Sequence, residues 1–309
     1  MAKKILLDCD PGLDDALALL LAHGDPNLEL VGVTTVGGNV SLERTTANAL
    51  ALREYLGFGT VPVAAGAGKP LLGDVREASH VHGETGLGSV SLPVATLPLS
   101  ELHAVDFIIE TLRATPGAVH LVATGPLTNI ALALEKEPAI ARWAASFTIM
   151  GGSFTRGNAT PAAEFNIYAD PEAARVVFDA DWQVVMVGLD LTHQALANGP
   201  VVERLARLGT LAHELILPLA TYYASRNSHD PDGQAVHDVC AVAHVSRPDL
   251  FASRVARVDV ETTGKLTSGM TVVDFDASIP NALVPVALDV NGFWAYVEHV
   301  YGLVATHHG

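Results

Sequence analysis

"DCDPGLDDALALLLA" (residues 8–22) sets four carboxylates, Asp8, Asp10, Asp14 and Asp15, within eight positions and then runs into apolar sequence. The stretch feeding into it, "KKILLD" (3–8), is short and apolar, as a buried strand is. Pro11-Gly12 then introduces a helix over 13–23. Asp8 and Asp10, two apart at a strand end, share a face, while Asp14 and Asp15 fall in the first helical turn, so all four can converge. A helix N-terminus favours a carboxylate by about 0.3–1 kcal/mol. Several packed together repel, and one must hold a proton unless a cation intervenes. No Lys or Arg lies between them. A hard divalent cation, Ca²⁺ or Mg²⁺, takes carboxylate, carbonyl and water oxygens and resolves the conflict; zinc spacing of Cys and His is absent. For a lone Asp pair the alternative is an acidic N-cap on a solvated rim. Four carboxylates around a Pro-Gly turn favour the ion.

Outward from this stretch, strands and helices alternate. "LELVGVTTV" (28–36), "AVHLVAT" (118–124), "SFTIM" (146–150) and "WQVVMVG" (182–188) suit buried parallel strands. Helices are expected over 41–56 with Ser41 as N-cap, 104–114, 128–136, and 171–179 with Pro171 in the first turn. Residues 200–226 and 236–245 look mainly helical, "RVARVDVET" and "MTVVDF" look like strands, and "VNGFWAYVEHV" closes the chain as a helix. The expected fold is α/β: a mostly parallel central sheet flanked by helices, a Rossmann-like open sheet. Without a linker, low-complexity tract or repeat, residues 1–309 are expected to form a single domain.

The chain has 309 residues, 49% of them hydrophobic, enough to bury roughly 75% of the surface of its unfolded form. Its formal charge of −16 argues against nucleic acid or an anionic membrane as partner. The N-terminus is too short in apolar residues for a secretory signal, and no segment approaches the length of a membrane span. A cytoplasmic protein is expected. Cys9 and Cys240 read as reduced, packed thiols.

In open α/β sheets ligands bind beyond the carboxyl ends of the strands. There the sequence places "DCDPGLDD", "TVGGN" ending at Asn39, "ATGPLTN", and "MGGSFTRGNATPAAEFN", which gathers Asn158, Glu164 and Asn166 within nine positions. That density of amide and carboxyl groups suits a polyhydroxylated ligand, although a polar surface loop has the same composition.

"DCDPGLDDALAL" resembles the signature of the nucleoside hydrolases, the inosine-uridine preferring N-ribohydrolases. Agreement extends in order through "TTVGGNV" (34–40), "HVHGETGLG" (80–88), "ATGPLTNIALAL" (123–134), "MGGSFTRGNATPAAEFNIYADPEAA" (150–174) and "VHDVCAVA" (236–243). The resemblance implies Ca²⁺ held by Asp10, Asp15, the carbonyl of Thr124 and Asp238, with Asp10 also the general base toward water. It implies that Asp14 binds the ribose 2′-hydroxyl, Asn166 the 2′ and 3′ hydroxyls, and Asn158 with Glu164 the 5′-hydroxyl, with Asn39 near the reacting sugar. His82 and His237, titrating near neutrality, are the expected leaving-group residues. The purine-specific subgroup carries tryptophan in place of the second histidine, so pyrimidine or mixed nucleosides are expected, with a purine-preferring enzyme as the alternative. A homotetramer or homodimer and a place in nucleoside salvage are also implied.

Three further readings concern individual segments. Phe165 reads as core packing. Tyr222, Tyr223 and Arg226 either line the base side of the pocket or serve as core and surface residues. "DPDG" (230–233) reads as a mobile rim loop. A metal-dependent phosphohydrolase, with Asp8 phosphorylated and Asp10 its acid-base partner, and a non-catalytic nucleoside-binding protein are the rival functions.

Overall fold

Strand β1 (Lys3–Cys9) is buried along its last five residues because layers of helix cover both faces of the sheet that contains it. The computed structural model describes residues 2–226 and 233–306. The other strands of the sheet are β2 (Leu28–Thr35), β3 (Val63–Ala65), β4 (Val119–Ala123), β5 (Ala144–Met150) and β6 (Val184–Val187). Two short strands, β7 (Leu196–Ala197) and β8 (Gln234–Ala235), pair separately, and β9 (Phe251–Val260), β10 (Thr271–Asp274) and β11 (Ala282–Leu288) return to the main sheet. Its nine strands run in the order β10-β9-β11-β6-β5-β4-β1-β2-β3. From β11 to β3 every pairing is parallel; β9 is antiparallel to both of its neighbours. The mostly parallel α/β sheet expected from the sequence is the observed fold.

Successive residues of β1 serve opposite cores, as the period of two requires. Ile5, Leu7 and Cys9 join helices Leu13–Gly24, His237–Ser246 and Val290–Ala305 in one apolar cluster. Leu6 points into the other, formed with helices Ala104–Ala114, Thr128–Lys136 and Pro171–Asp179. Each fully buried Leu or Ile contributes on the order of 1.5–3 kcal/mol, so both layers hold β1 in one register. In that register Asp8 lies opposite Thr34 of β2 and Ala123 of β4, which brings three strand ends together at one rim.

The structure departs from expectation in several places. Strands β3 and β11 were not predicted. The first is only three residues long, and Pro285 interrupts the second at a register shift. The 200–226 region is divided into helices Gly199–Leu205, Gly209–Leu211 and Leu217–Arg226, with a π turn at Ala212–Ile216. Ser41 stands at the N-cap of helix Leu42–Tyr55, but its side chain makes no capping bond. Pro171 opens helix Pro171–Asp179, capped by the Asp170 side chain. Both cysteines are buried and free. Among the described residues no helix is long and apolar enough to cross a membrane.

Candidate active site

Asp10 leaves the end of β1 and is completely buried. Its Oδ2 accepts the Asn39 backbone N–H at 2.6 Å, and its Oδ1 has no hydrogen-bond partner. Glycines make the room. A Cβ at Gly38 would stand 2.1 Å from Oδ2, and one at Gly125 would stand 2.7 Å from Oδ1. Asp8, one side-chain repeat below, accepts from Thr34 Oγ1 at 2.6 Å and Asn129 Nδ2 at 2.8 Å through Oδ1, while its Oδ2 is likewise buried and unpartnered.

Helix Leu13–Gly24 brings Asp14 and Asp15 to the same rim. Asp15 closes the first turn by accepting the Gly12 N–H at 3.0 Å. It also accepts Asn39 Nδ2 at 3.0 Å and Thr124 Oγ1 at 2.9 Å, tying together the ends of β1, β2 and β4. Asp238 enters from the start of helix His237–Ser246. Asp14, Asp15 and Asp238 offer oxygens that all lie within 4.8 Å of one another.

None of the ion pairs among the described residues involves these aspartates. Burial therefore pushes their carboxyls up. Asp8 and Asp14 reach about 7, Asp14 also through the neighbouring Asp15 charge. Asp10 rises well above the usual range through burial and Asp15, and Asp238 does so through burial and Asp14. Asp15 is raised by burial, against the lowering effect of the Gly12 and Thr124 donors. An all-oxygen set with an orphaned Asp10 Oδ1 and no protein cation fits a hard divalent ion.

Asp14 and Asp238 carry the cluster to the wall of a cavity of about 280 Å³, lined also by Asn39, Thr124, Asn158, Glu164 and Asn166 among others. Asn166 is held by its Nδ2, which donates to Thr124 O at 2.8 Å and Met150 O at 3.0 Å. Glu164 caps helix Phe165–Ala169, its oxygens accepting the N–H groups of Gly152, Asn166 and Ile167; burial outweighs these bonds and lifts it to about 6. Asn158 Oδ1 accepts the Phe165 N–H at 2.9 Å. Asp15 and Asp238 of the expected ion set group with Asp14, expected at the ribose, and not with Asp10, which reaches Asp15 through Asn39; Asp14, Asn39, Asn158, Glu164 and Asn166 all line the cavity.

Also in the cavity wall, His82, Tyr223 and His237 form a ring cluster, with centroids 6.0 Å apart for His82–Tyr223 and 6.4 Å for Tyr223–His237. The neutral-pH titration expected of the histidines is not what the structure gives. Burial lowers both to about 3, His82 further through His80 and His237 through His193 and His82. Each is a neutral ring at pH 7. Leu13 N–H donates to His82 Nδ1 at 3.1 Å, which leaves the proton on Nε2.

Phe165, expected in the core, lines the cavity instead, as do Tyr223 and Arg226. Tyr222 packs against Gly83 and Gly88 and receives Arg226 Nη2 on its hydroxyl at 3.2 Å. The expected rim loop at 230–233 lies outside the described residues except for Gly233. Sequence reasoning also missed Thr192, whose Oγ1 meets His237 Nδ1 at 2.7 Å, and Arg76 with Tyr168 in the cavity wall. For Arg76 the one available signal was its place six residues before His82.

A sequence model of the family described as inosine-uridine preferring nucleoside hydrolase matches residues 5–295. The chain is 48% identical over 304 residues to the inosine-uridine preferring nucleoside hydrolase of Leishmania major, covering 96% of each. It is 42% identical over 299 residues to the pyrimidine-specific ribonucleoside hydrolase of Citrobacter koseri, covering 95% of this chain and 96% of that one. In structure it is similar to the purine-preferring ribonucleoside hydrolase from Gardnerella vaginalis, with a TM-score of 0.92 at 33% identity, over 98% of this chain and 100% of the other.

Proposed function

From the premise that this chain belongs to the inosine-uridine preferring nucleoside hydrolase family and is a hydrolase of N-glycosyl bonds, we propose that it is a calcium-dependent enzyme cleaving ribonucleosides to ribose and free base, with pyrimidine or mixed preference. The observation that carries the reading is the buried, uncompensated aspartate cluster at one wall of a cavity lined by amides and carboxyls.

Asp10, Asp15, the Thr124 carbonyl and Asp238 would hold the ion. When bound, Ca²⁺ neutralises the cluster and makes a neighbouring water more acidic. Asp10 takes a proton from the attacking water at Oδ1, the oxygen that no protein group uses. Asp14 accepts the 2′-hydroxyl and Asn166 bridges the 2′ and 3′ hydroxyls; both are buried and pre-aligned, so their bonds tighten as the ribosyl group flattens toward an oxocarbenium ion. Asn158 and Glu164 bind the 5′-hydroxyl, and Asn39 holds Asp10 and Asp15 in place. His82 and His237 face the departing base as neutral rings, so each offers one N–H instead of an imidazolium proton.

His237, in place of the tryptophan of the purine-specific subgroup, supports the pyrimidine or mixed preference. No lysine lines the cavity among the described residues; its two cations are Arg76, held on Tyr168, and Arg226, beside Tyr222. The same reading carries one domain over residues 1–309, a homodimer or homotetramer, and a cytosolic role in nucleoside salvage. The test is ribose release from uridine, cytidine and inosine with and without a calcium chelator. Turnover of none, or turnover indifferent to exhaustive chelation, counts against it.

A further inference from the structure

Arg76 stands in the cavity wall without an assigned part in the reaction. Its guanidinium donates to the carbonyl oxygen of Tyr168 and lies 4.0 Å over the centroid of the Tyr168 ring. No ion pair among the described residues includes it. Tyr168 belongs to helix Phe165–Ala169, which Glu164 caps, so Arg76 is anchored to the element that carries Glu164 and Asn166.

Hydrogen-bond accounting at that end favours a donor. Both Glu164 oxygens are occupied by three backbone N–H groups, and Asn158 Oδ1 is taken by the Phe165 N–H. A hydroxyl bound there can give its proton to a spare lone pair, but its own oxygen needs a donor, and the two donors in this wall are the neutral Asn158 Nδ2 group and the charged Arg76 guanidinium. Arginine carries five N–H bonds, and the Tyr168 carbonyl engages a single guanidinium nitrogen. A planar fork already fixed by stacking loses little freedom on binding, and a charged donor makes a stronger bond than a neutral one.

Resting on the nucleoside hydrolase reading above, we propose that Arg76 is a specificity-determining residue that donates to the 5′-hydroxyl oxygen of the ribose, with Tyr168 holding the guanidinium in place. Arg76 thereby makes the enzyme discriminate for the 5′-hydroxyl.

The test is kcat/KM for uridine and for 5′-deoxyuridine in the calcium-loaded protein, comparing wild type with Arg76→Met and Tyr168→Leu. Arg76→Met lowers kcat/KM for uridine about tenfold, the scale of one charge-assisted hydrogen bond, and changes 5′-deoxyuridine by less than about twofold. Tyr168→Leu shifts the same ratio in the same direction by less, without touching Arg76 itself. Equal losses on both substrates would mean that Arg76 only latches the wall, and no loss on uridine would mean that it binds nothing; either result overturns the proposal. Wild type that cleaves uridine while Arg76→Met shows the wrong pattern sinks Arg76 alone. Wild type that cleaves neither substrate sinks the hydrolase reading, and this inference with it.

Discussion

The Asn166 side-chain amide donates to the Thr124 carbonyl at 2.8 Å, so a residue assigned to the ribose also fixes a carbonyl assigned to the ion. Asn166→Ala removes both at once. It is expected to lower kcat/KM about tenfold to a hundredfold and to destabilise the fold by about 1–2 kcal/mol, because the carbonyls of Thr124 and Met150 each lose a buried donor. Steady-state kinetics and urea denaturation check the two effects separately. A loss in kinetics without any change in stability would show that the amide serves substrate only.

Asp10→Asn keeps the acceptor for the Asn39 N–H but removes the basic oxygen. The expected outcome is a fall in kcat of about 10²–10⁴ with the fold intact. Since the native carboxyl is buried against Asp15, the neutral side chain should leave the ion-free protein no less stable than wild type. Near-normal turnover by the variant would refute the assignment.

Under the calcium proposal, chelation is expected to act on the fold as well as on the chemistry. With Asp14, Asp15 and Asp238 packed within reach of one another, calcium at a hundred times its Kd should add about 2.7 kcal/mol of stability. Thermal unfolding after exhaustive EDTA treatment, before and after adding back Ca²⁺ or Mg²⁺, reads this directly. Identical unfolding in all conditions would remove the ion from the account.

His82 confers acid sensitivity. Its pKa is lowered by burial to about 3, against about 6.5 in the unfolded chain. A depressed pKa means that the native state excludes a proton the unfolded state binds. Its contribution is therefore complete above pH 6.5 and is lost, at up to roughly 1.4 kcal/mol per unit, as pH falls toward 3. His82→Gln retains an acceptor for the Leu13 N–H. Its denaturation free energy should fall less steeply than that of wild type between pH 6.5 and 4; parallel slopes would contradict the assignment.

The sheet and its rim were legible because apolar runs such as 3–8 and 28–36 have no other reading in an alternating chain. The acidic cluster was legible because its members sit close together in sequence. What escaped was set by tertiary packing. The strand containing Pro285 reads as interrupted until a register shift accommodates the ring. Thr192 gains its place only when the segment after β6 meets helix His237–Ser246, and Phe165 exchanges core for cavity because Glu164 caps its helix. The protonation of His82 and His237 depends on burial, which residue type alone does not reveal.

Gly38 and Gly125 press against the two oxygens of Asp10, so with the role proposed for Asp10 the chain stands one methyl group from catalytic silence. Alanine at either position would press on the carboxylate, at 38 together with the Pro126 ring and at 125 together with Val36. A descendant that keeps the nucleoside but no longer consumes it, a sensor in place of a scavenger, is therefore a single codon away. Positions 38 and 125 are where such a change of vocation would be written.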